Sequence, residues 1–124
     1  MNDNRPTNLD LATLRYPLPA ITSLLHRLSG AFIFVGVAVM LYMLDLSLQS
    51  AAGYGQVLEM LDHSLVKLLV WAVLAGLLYH LIAGIKHLIM DFGIGETMKG
   101  GNIAASLTIA LSALAMIVAG VWIW

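Results

Sequence analysis

A histidine lies inside one of three long apolar stretches of the sequence, where an ionisable side chain needs a chemical reason. His80 follows twelve residues that include no charge. A neutral imidazole has a donor and an acceptor to satisfy, so a metal, a cofactor or a polar group of another helix must bind it. Gly76 and Gly84 lie one turn before and after His80. They could make room for a flat porphyrin ring or permit close helix packing, and the residues leave both interpretations open.

Three polar residues near the start of the first apolar stretch form a second group: Ser23, His26 and Arg27. Ser23 and Arg27 are one helical turn apart and share a face, with His26 on its flank. A hydroxyl and a guanidinium on one face can bind the carbonyl or carboxylate oxygens of a ligand. A basic residue that marks the cytoplasmic end of a span would explain Arg27, but it would not explain the neighbouring serine and histidine.

Further charged residues follow His80 toward the end of the same stretch. His87 lies seven residues on, almost in line with His80, and Asp91 lies at the expected helix C-terminus, where the helix dipole disfavours a negative charge. A salt bridge or proton transfer would explain that placement, and both residues are further candidates for a cofactor site. We interpret Lys86 as a side chain that extends to the lipid headgroups.

The elements that must position these residues are membrane-spanning helices. The 124 residues are 60% hydrophobic and 10% charged, whereas soluble domains have roughly 25% charged residues. The apolar stretches predict spans over about 23–48, 65–91 and 103–124, each long enough for a bilayer core. We therefore predict an all-α integral membrane protein, with a cytoplasmic or interfacial segment at 1–22 and a three-helix transmembrane domain at 23–124.

Basic residues set the expected orientation. Five of the six lysines and arginines lie before or at the start of the first span, at the end of the second span or in the loop after it. The positive-inside rule then places the N-terminus and that loop in the cytoplasm, and the C-terminus in the periplasm. The segment 49–64 is expected to be a loop on the far side. The third span has a face of small residues that we expect to pack against other helices: Ala105, Thr108, Ser112, Ala115 and Ala119.

Several kinds of chemistry are excluded or disfavoured. The sequence contains no cysteine, so it cannot hold a cysteine-ligated iron–sulfur cluster or zinc ion. It has no phosphate-binding glycine loop, and we interpret the pairs Gly53 with Gly55 and Gly93 with Gly95 as turns. The net charge of −1 predicts no nucleic-acid partner.

Two motifs resemble those of a known family. The first comprises Arg5-Pro6 and residues 23–30 (SLLHRLSG), and the second comprises residues 80–93 (HLIAGIKHLIMDFG). At this spacing, and over nearly the whole chain, the sequence resembles the cytochrome b556 membrane-anchor subunits of bacterial succinate dehydrogenase, the succinate:quinone oxidoreductase called complex II. Lys86 departs from the pattern, which usually has arginine there. Lysine keeps the charge but loses the planar fork of arginine.

The resemblance implies roles for the matching positions. His80 would be one axial ligand of a haem b whose second histidine comes from a sister anchor subunit. Ser23 and Arg27 would contribute to the ubiquinone site, and His26 and Arg27 would lie near the haem propionates. The chain would be an anchor without flavin or iron–sulfur chemistry of its own, in a larger heteromeric helix bundle. An FAD-containing flavoprotein and an iron–sulfur subunit would complete the enzyme in the bacterial inner membrane.

Two alternatives remain open. A quinol:fumarate reductase would use the same kind of anchor for the reverse reaction, because the direction depends largely on cofactor and quinone potentials. A small non-redox membrane subunit, for transport or assembly, would instead pair His80 and Arg27 with a substrate or with other helices.

Overall fold

The computed structural model describes residues 15–124, and within that range the chain forms four α-helices and no strand. In chain order these are α1 (Leu18–Gln49), α2 (Ala51–Asp62), α3 (Ser64–Asp91) and α4 (Met98–Ile123). The first fourteen residues, which make up most of the predicted interfacial segment, lie outside this description.

Three of the four helices are long and apolar enough to cross a membrane: α1, α3 and α4. Their 32, 28 and 26 residues correspond to about 48, 42 and 39 Å at the rise of an α-helix. Each exceeds a hydrocarbon core about 30 Å thick, so the predicted fold class is confirmed. Helix α1 begins five residues before the predicted span, because proline is compatible with a first helical turn and Pro19 lies there.

A short helix occupies the segment between the first two spans, where we expected a loop. Ser50 ends α1 with an extended backbone, and its hydroxyl oxygen accepts the N–H of Gly53 at 3.0 Å to begin α2. A Cβ atom at Gly53 would collide with the carbonyl oxygen of Leu46. Glycine therefore serves the close approach of α2 to α1, and the prediction of a turn at Gly53 and Gly55 is wrong.

The connection between α3 and α4 is a turn, as predicted. Gly93 and Gly95 both have φ of +80°, a conformation that glycine adopts without steric cost. The Thr97 side chain then accepts the N–H of Gly100 at 3.0 Å and caps the start of α4.

Small side chains make up most of the interior of the bundle. Ala83 of α3 and Ala105 of α4 are completely buried, whereas Phe34 is 82% exposed and Trp122 is 81% exposed. Four residues of the predicted small face of α4 are buried and the fifth, Ala115, is partly buried. Small residues let helix backbones approach closely in a membrane, where lipid covers the large apolar side chains.

Candidate functional site

The first half of α1 packs against the last half of α3, and this antiparallel contact brings the predicted histidines together. The rings of His26 and His80 are stacked, with centroids 4.0 Å apart and an angle of 14° between their planes. The ring of His87 lies 5.1 Å from that of His26, at 50°. His26 of the first span therefore lies in one cluster with His80 and His87 of the second.

Hydrogen bonds show which ring nitrogen of His80 carries a proton. Its Nδ1 lies 3.0 Å from the carbonyl oxygen of His26 and 3.1 Å from the hydroxyl oxygen of Ser29. A carbonyl oxygen only accepts hydrogen bonds, so Nδ1 carries a proton, and in the neutral ring Nε2 then keeps its lone pair. An imidazole of this kind, which donates its far N–H to a backbone carbonyl, is the usual form of a metal-ligating histidine.

His80 lines an apolar groove on the outside of the contact between α1 and α3. The groove has a volume of about 670 Å³. Gly30 lies beside the ring, and a Cβ atom there would be 3.0 Å from Cε1 of His80. A side chain at position 30 would displace the imidazole. The other lining residues are apolar members of one face of α1: Ile33, Phe34, Val35, Val37, Ala38 and Leu41.

Gly76 and Gly84 both face α1, and the tight fit at Gly76 supports helix packing, one of the two interpretations of the sequence. A Cβ atom at Gly76 would lie 3.0 Å from Phe32, and one at Gly84 would lie 3.5 Å from Nε2 of His26. Both glycines therefore face α1. The space beside His80 comes from Gly30 of the neighbouring helix, which sequence spacing along α3 alone could not reveal.

His26 presents a buried nitrogen that lacks a hydrogen-bond partner among the described residues, namely Nε2. The backbone of the same residue accepts the proton of His80. A buried ring nitrogen without a partner is costly, so it marks a position where a bound group could supply the missing hydrogen bond.

Ser23, Arg27 and Asp91 lie at the same end of the bundle as the histidine cluster. Ser23 is partly buried, and Arg27 is exposed one turn further along α1. Asp91 is exposed as the last residue of α3. The guanidinium and the carboxylate are both exposed at this surface, where a ligand or a partner subunit could reach them.

Lys86 points into the bundle, so its interpretation as a side chain extending to the headgroups is wrong. The residue is 7% exposed, and Nζ donates to the hydroxyl oxygen of Thr22 at 3.1 Å. Position 86 lies on the α3 face that also carries Tyr79 and Ala83, and this face is turned toward the other helices.

Four residues of the cluster received no role from the sequence: Thr22, Ser29, Gly30 and Tyr79. Tyr79 donates its hydroxyl hydrogen to the backbone carbonyl of Thr22 at 2.8 Å, and Thr22 is completely buried. Threonine and tyrosine are common in transmembrane helices, so only their helical spacing from His26 and Lys86 could have indicated a shared face.

No group of three or more His, Cys, Asp or Glu side chains in residues 15–124 is arranged to hold a metal ion alone. In its neutral form, with the proton on Nδ1, His80 has a lone pair on Nε2 that can ligate a metal whose other ligands come from other groups. A porphyrin with an axial histidine meets this condition, and the protonation of His80 fits it.

The chain is similar to membrane subunits of known enzymes. A family model described as "Succinate dehydrogenase/Fumarate reductase transmembrane subunit" matches residues 1–119. The succinate dehydrogenase cytochrome b556 subunit of Coxiella burnetii is 42% identical over 125 residues, which cover 100% of both chains.

Two further relatives carry similar names. The cytochrome b556 subunit of Rickettsia felis is 30% identical over 112 residues, covering 90% of this chain and 87% of its own. The mitochondrial succinate dehydrogenase cytochrome b560 subunit of Dictyostelium discoideum is 32% identical over 100 residues, covering 81% of this chain and 50% of its own. The similarity to cytochrome subunits thus extends from bacteria to a mitochondrial enzyme.

Proposed function

The chain belongs to the succinate dehydrogenase/fumarate reductase transmembrane subunit family, and on this basis we propose that it anchors a succinate dehydrogenase, ligates a haem b and forms part of its ubiquinone site. The relatives described above are all named as succinate dehydrogenase subunits, which favours succinate oxidation over fumarate reduction. The partners would be a flavoprotein, an iron–sulfur subunit and a second small anchor.

His80 is the proposed axial ligand from this chain, and its hydrogen bond to the carbonyl of His26 is the observation that carries the proposal. That bond holds the proton on Nδ1 and leaves Nε2 with the lone pair that iron requires. The groove that His80 lines would receive the group, and a second histidine ligand would come from the sister anchor. A haem bound there would accept and release single electrons at its iron.

His26 and Arg27 would bind the carboxylates of such a group. Nε2 of His26 is buried without a partner among the described residues, and it can donate a hydrogen bond to a propionate once it carries a proton. Arg27 is exposed at the same end of the bundle and would supply charge-assisted hydrogen bonds. His87 and Asp91 are further candidates at this end, through the contact of His87 with His26.

Ser23 and Arg27 would hold ubiquinone. Reduction to ubiquinol adds two electrons and two protons, and negative charge develops on the quinone oxygens as the electrons arrive. A hydroxyl and a guanidinium on one face of α1 would stabilise this charge. Electrons would come from succinate through the flavin and the iron–sulfur clusters of the partner subunits.

Removal of Arg27 tests the quinone assignment. We expect Arg27→Ala to lower ubiquinone reduction about 100-fold, the usual effect of losing one such donor, while succinate oxidation with a soluble electron acceptor is kept. Arg15→Ala is the control, because Arg15 is exposed and lies before α1. Equal rates in the two variants would contradict the assignment.

The orientation follows from the charge pattern and is part of the proposal. The N-terminus, the histidine cluster and the turn between α3 and α4 would face the cytoplasm of a bacterium, and the C-terminus would face the periplasm. The segment 1–22 would lie at the membrane interface beneath the soluble subunits. Cysteine scanning with a membrane-impermeant reagent measures this directly.

A reduced-minus-oxidised visible spectrum tests the haem assignment. We expect the assembled wild-type complex to show a b-type α-band, and His80→Ala to abolish or shift it. His26 is stacked on His80 and has a nitrogen without a partner among the described residues, so it could replace the lost ligand. The variant is therefore also made together with His26→Phe.

His63→Ala is the matched control, because His63 is exposed at the start of α3, at the opposite end from the cluster. An assembled wild-type complex without an α-band would overturn the cytochrome function. An unchanged band in the double variant would overturn His80 as the ligand.

A further inference from the structure

Ser29 makes two contacts that close a triangle of polar atoms beneath His80. Its hydroxyl oxygen lies 2.8 Å from the carbonyl oxygen of His26 and 3.1 Å from Nδ1 of His80. The third side of the triangle is the 3.0 Å bond between that nitrogen and that carbonyl oxygen.

Only one placement of the hydrogens satisfies all three contacts. If the Ser29 hydroxyl donated to Nδ1, that nitrogen would be an unprotonated acceptor facing the carbonyl oxygen of His26 across 3.0 Å, and two lone pairs would repel. The hydroxyl therefore donates to the carbonyl, and the N–H of His80 is shared between the carbonyl oxygen and the Ser29 oxygen. The imidazole thus has two acceptors for a single proton.

Two acceptors on one N–H make the opposite nitrogen a stronger donor toward a metal. An N–H that is partly drawn toward its acceptors gives the ring some imidazolate character, which raises ligand basicity. A more basic axial ligand stabilises ferric iron over ferrous iron, so it lowers the reduction potential. Hydrogen bonding around the iron is one of the means by which a protein sets this potential.

We propose that Ser29 is a positioning residue that holds the His80 ring and, through it, lowers the reduction potential of the bound haem. This inference rests on the proposed function, because it takes His80 as the axial ligand. It assigns Ser29 a role that acts through another side chain and requires no contact between Ser29 and the haem.

A purely local role is the competing explanation. Serines in helices often donate to the carbonyl three or four residues earlier, and Ser47 of the same helix does so with Leu44 at 2.7 Å. Ser47 is partly buried, lies away from the histidines and is the matched control. If Ser29 were only another such serine, both positions would tolerate alanine equally.

The experiment measures the haem midpoint potential by optical redox titration of the assembled complex. The variants are Ser29→Thr, Ser29→Cys, Ser29→Ala and Ser47→Ala. Threonine keeps the hydroxyl, sulfur is a weaker acceptor than oxygen, and alanine has no acceptor. We expect the midpoint potential of Ser29→Thr to be close to that of the wild type, that of Ser29→Cys to be higher and that of Ser29→Ala to be highest. Ser47→Ala should leave the potential unchanged. All four variants should keep their haem content.

The outcomes separate this inference from the proposed function. A wild-type complex without haem, or a haem band unaffected by loss of His80 and His26, would overturn both. Haem that depends on His80, with the same potential in Ser29→Ala, Ser29→Thr and wild type, would overturn only the role of Ser29. If the alanine variant does not assemble, the threonine and cysteine variants decide, and equal potentials in those two would overturn it.

Discussion

The contact of α1 with α3 and the contact of α3 with α4 are built from different interactions. Near the histidines, α1 and α3 are joined by polar groups, among them Tyr79 with the carbonyl of Thr22 and Lys86 with its hydroxyl. Helix α4 instead contributes a face of small side chains, and its polar contact to α3 is the indole N–H of Trp71 with the carbonyl of Met116 at 2.9 Å.

The two kinds of contact constrain helix packing in different ways. Small side chains let helices approach but tolerate some rotation, whereas hydrogen bonds between defined atoms require one rotation and one register. A single interhelical hydrogen bond in a membrane contributes on average only about 0.6 kcal/mol. The polar contacts of α1 with α3 therefore contribute a defined rotation and register more than they contribute stability.

The largest loss of stability is expected from a substitution in the small-residue face of α4. Ala105 is completely buried, so Ala105→Leu forces three additional carbon atoms into a closed interface and should destabilise the folded chain by about 3 kcal/mol. Ala113→Leu is the control, because Ala113 is exposed on the same helix. Thermal unfolding of the purified complex in detergent measures both. Equal melting temperatures would show that the interface with α4 is looser than described.

A smaller loss of stability is expected when the contact between Lys86 and Thr22 is removed. Thr22→Val keeps the shape of the side chain but leaves Nζ of the buried Lys86 without its acceptor, at a cost of about 2 kcal/mol. Thr108→Val is the control, because Thr108 is also buried and bonds only to the carbonyl of Ala104 in its own helix.

A second variant isolates the source of that cost. Adding Lys86→Met to Thr22→Val should restore most of the stability, since no unpaired cation remains. A double-mutant cycle measures the interaction energy. Additive effects of the two substitutions would mean that the contact between Lys86 and Thr22 contributes nothing.

The smallest loss of stability is expected when the hydrogen bond between α3 and α4 is removed. Trp71→Phe removes the hydrogen bond to Met116 and should cost about 0.6 kcal/mol, the average for such bonds in a membrane. Trp124→Phe is the control, because Trp124 is 62% exposed at the C-terminus. A cost for Trp71→Phe as large as that for Thr22→Val would remove the contrast between the two interfaces.

The sequence was sufficient for the transmembrane helices and for the residue types of the site. Hydropathy located all three spans, and the spacing of Ser23, His26 and Arg27 placed them on adjoining faces of one helix. It missed α2, because Gly53 and Gly55 lower the helix propensity of a segment that is only twelve residues long. Only the carbonyl of Leu46, close beneath Gly53, explains why glycine is needed within that helix.

The site itself was only partly predictable. His80 stood out because an imidazole inside an apolar helix requires a partner, yet the identity of that partner depended on α1. Ser29 and Gly30 lie fifty or more positions away in sequence, and neither is unusual for a transmembrane helix. Nothing in their types indicates that one contacts Nδ1 of His80 and the other leaves room for its ring.

By itself, the sequence determined the number of spanning helices, the chemistry available to the chain and the chemistry denied to it by the absence of cysteine. Partition into a bilayer is a property of each segment, so composition and length are enough to predict it. The tertiary structure alone decided that Lys86 points inward, that Gly76 and Gly84 face α1, and which atoms receive the proton of His80. Those features depend on how one helix is rotated against another, and that rotation is set by contacts between residues far apart in the chain.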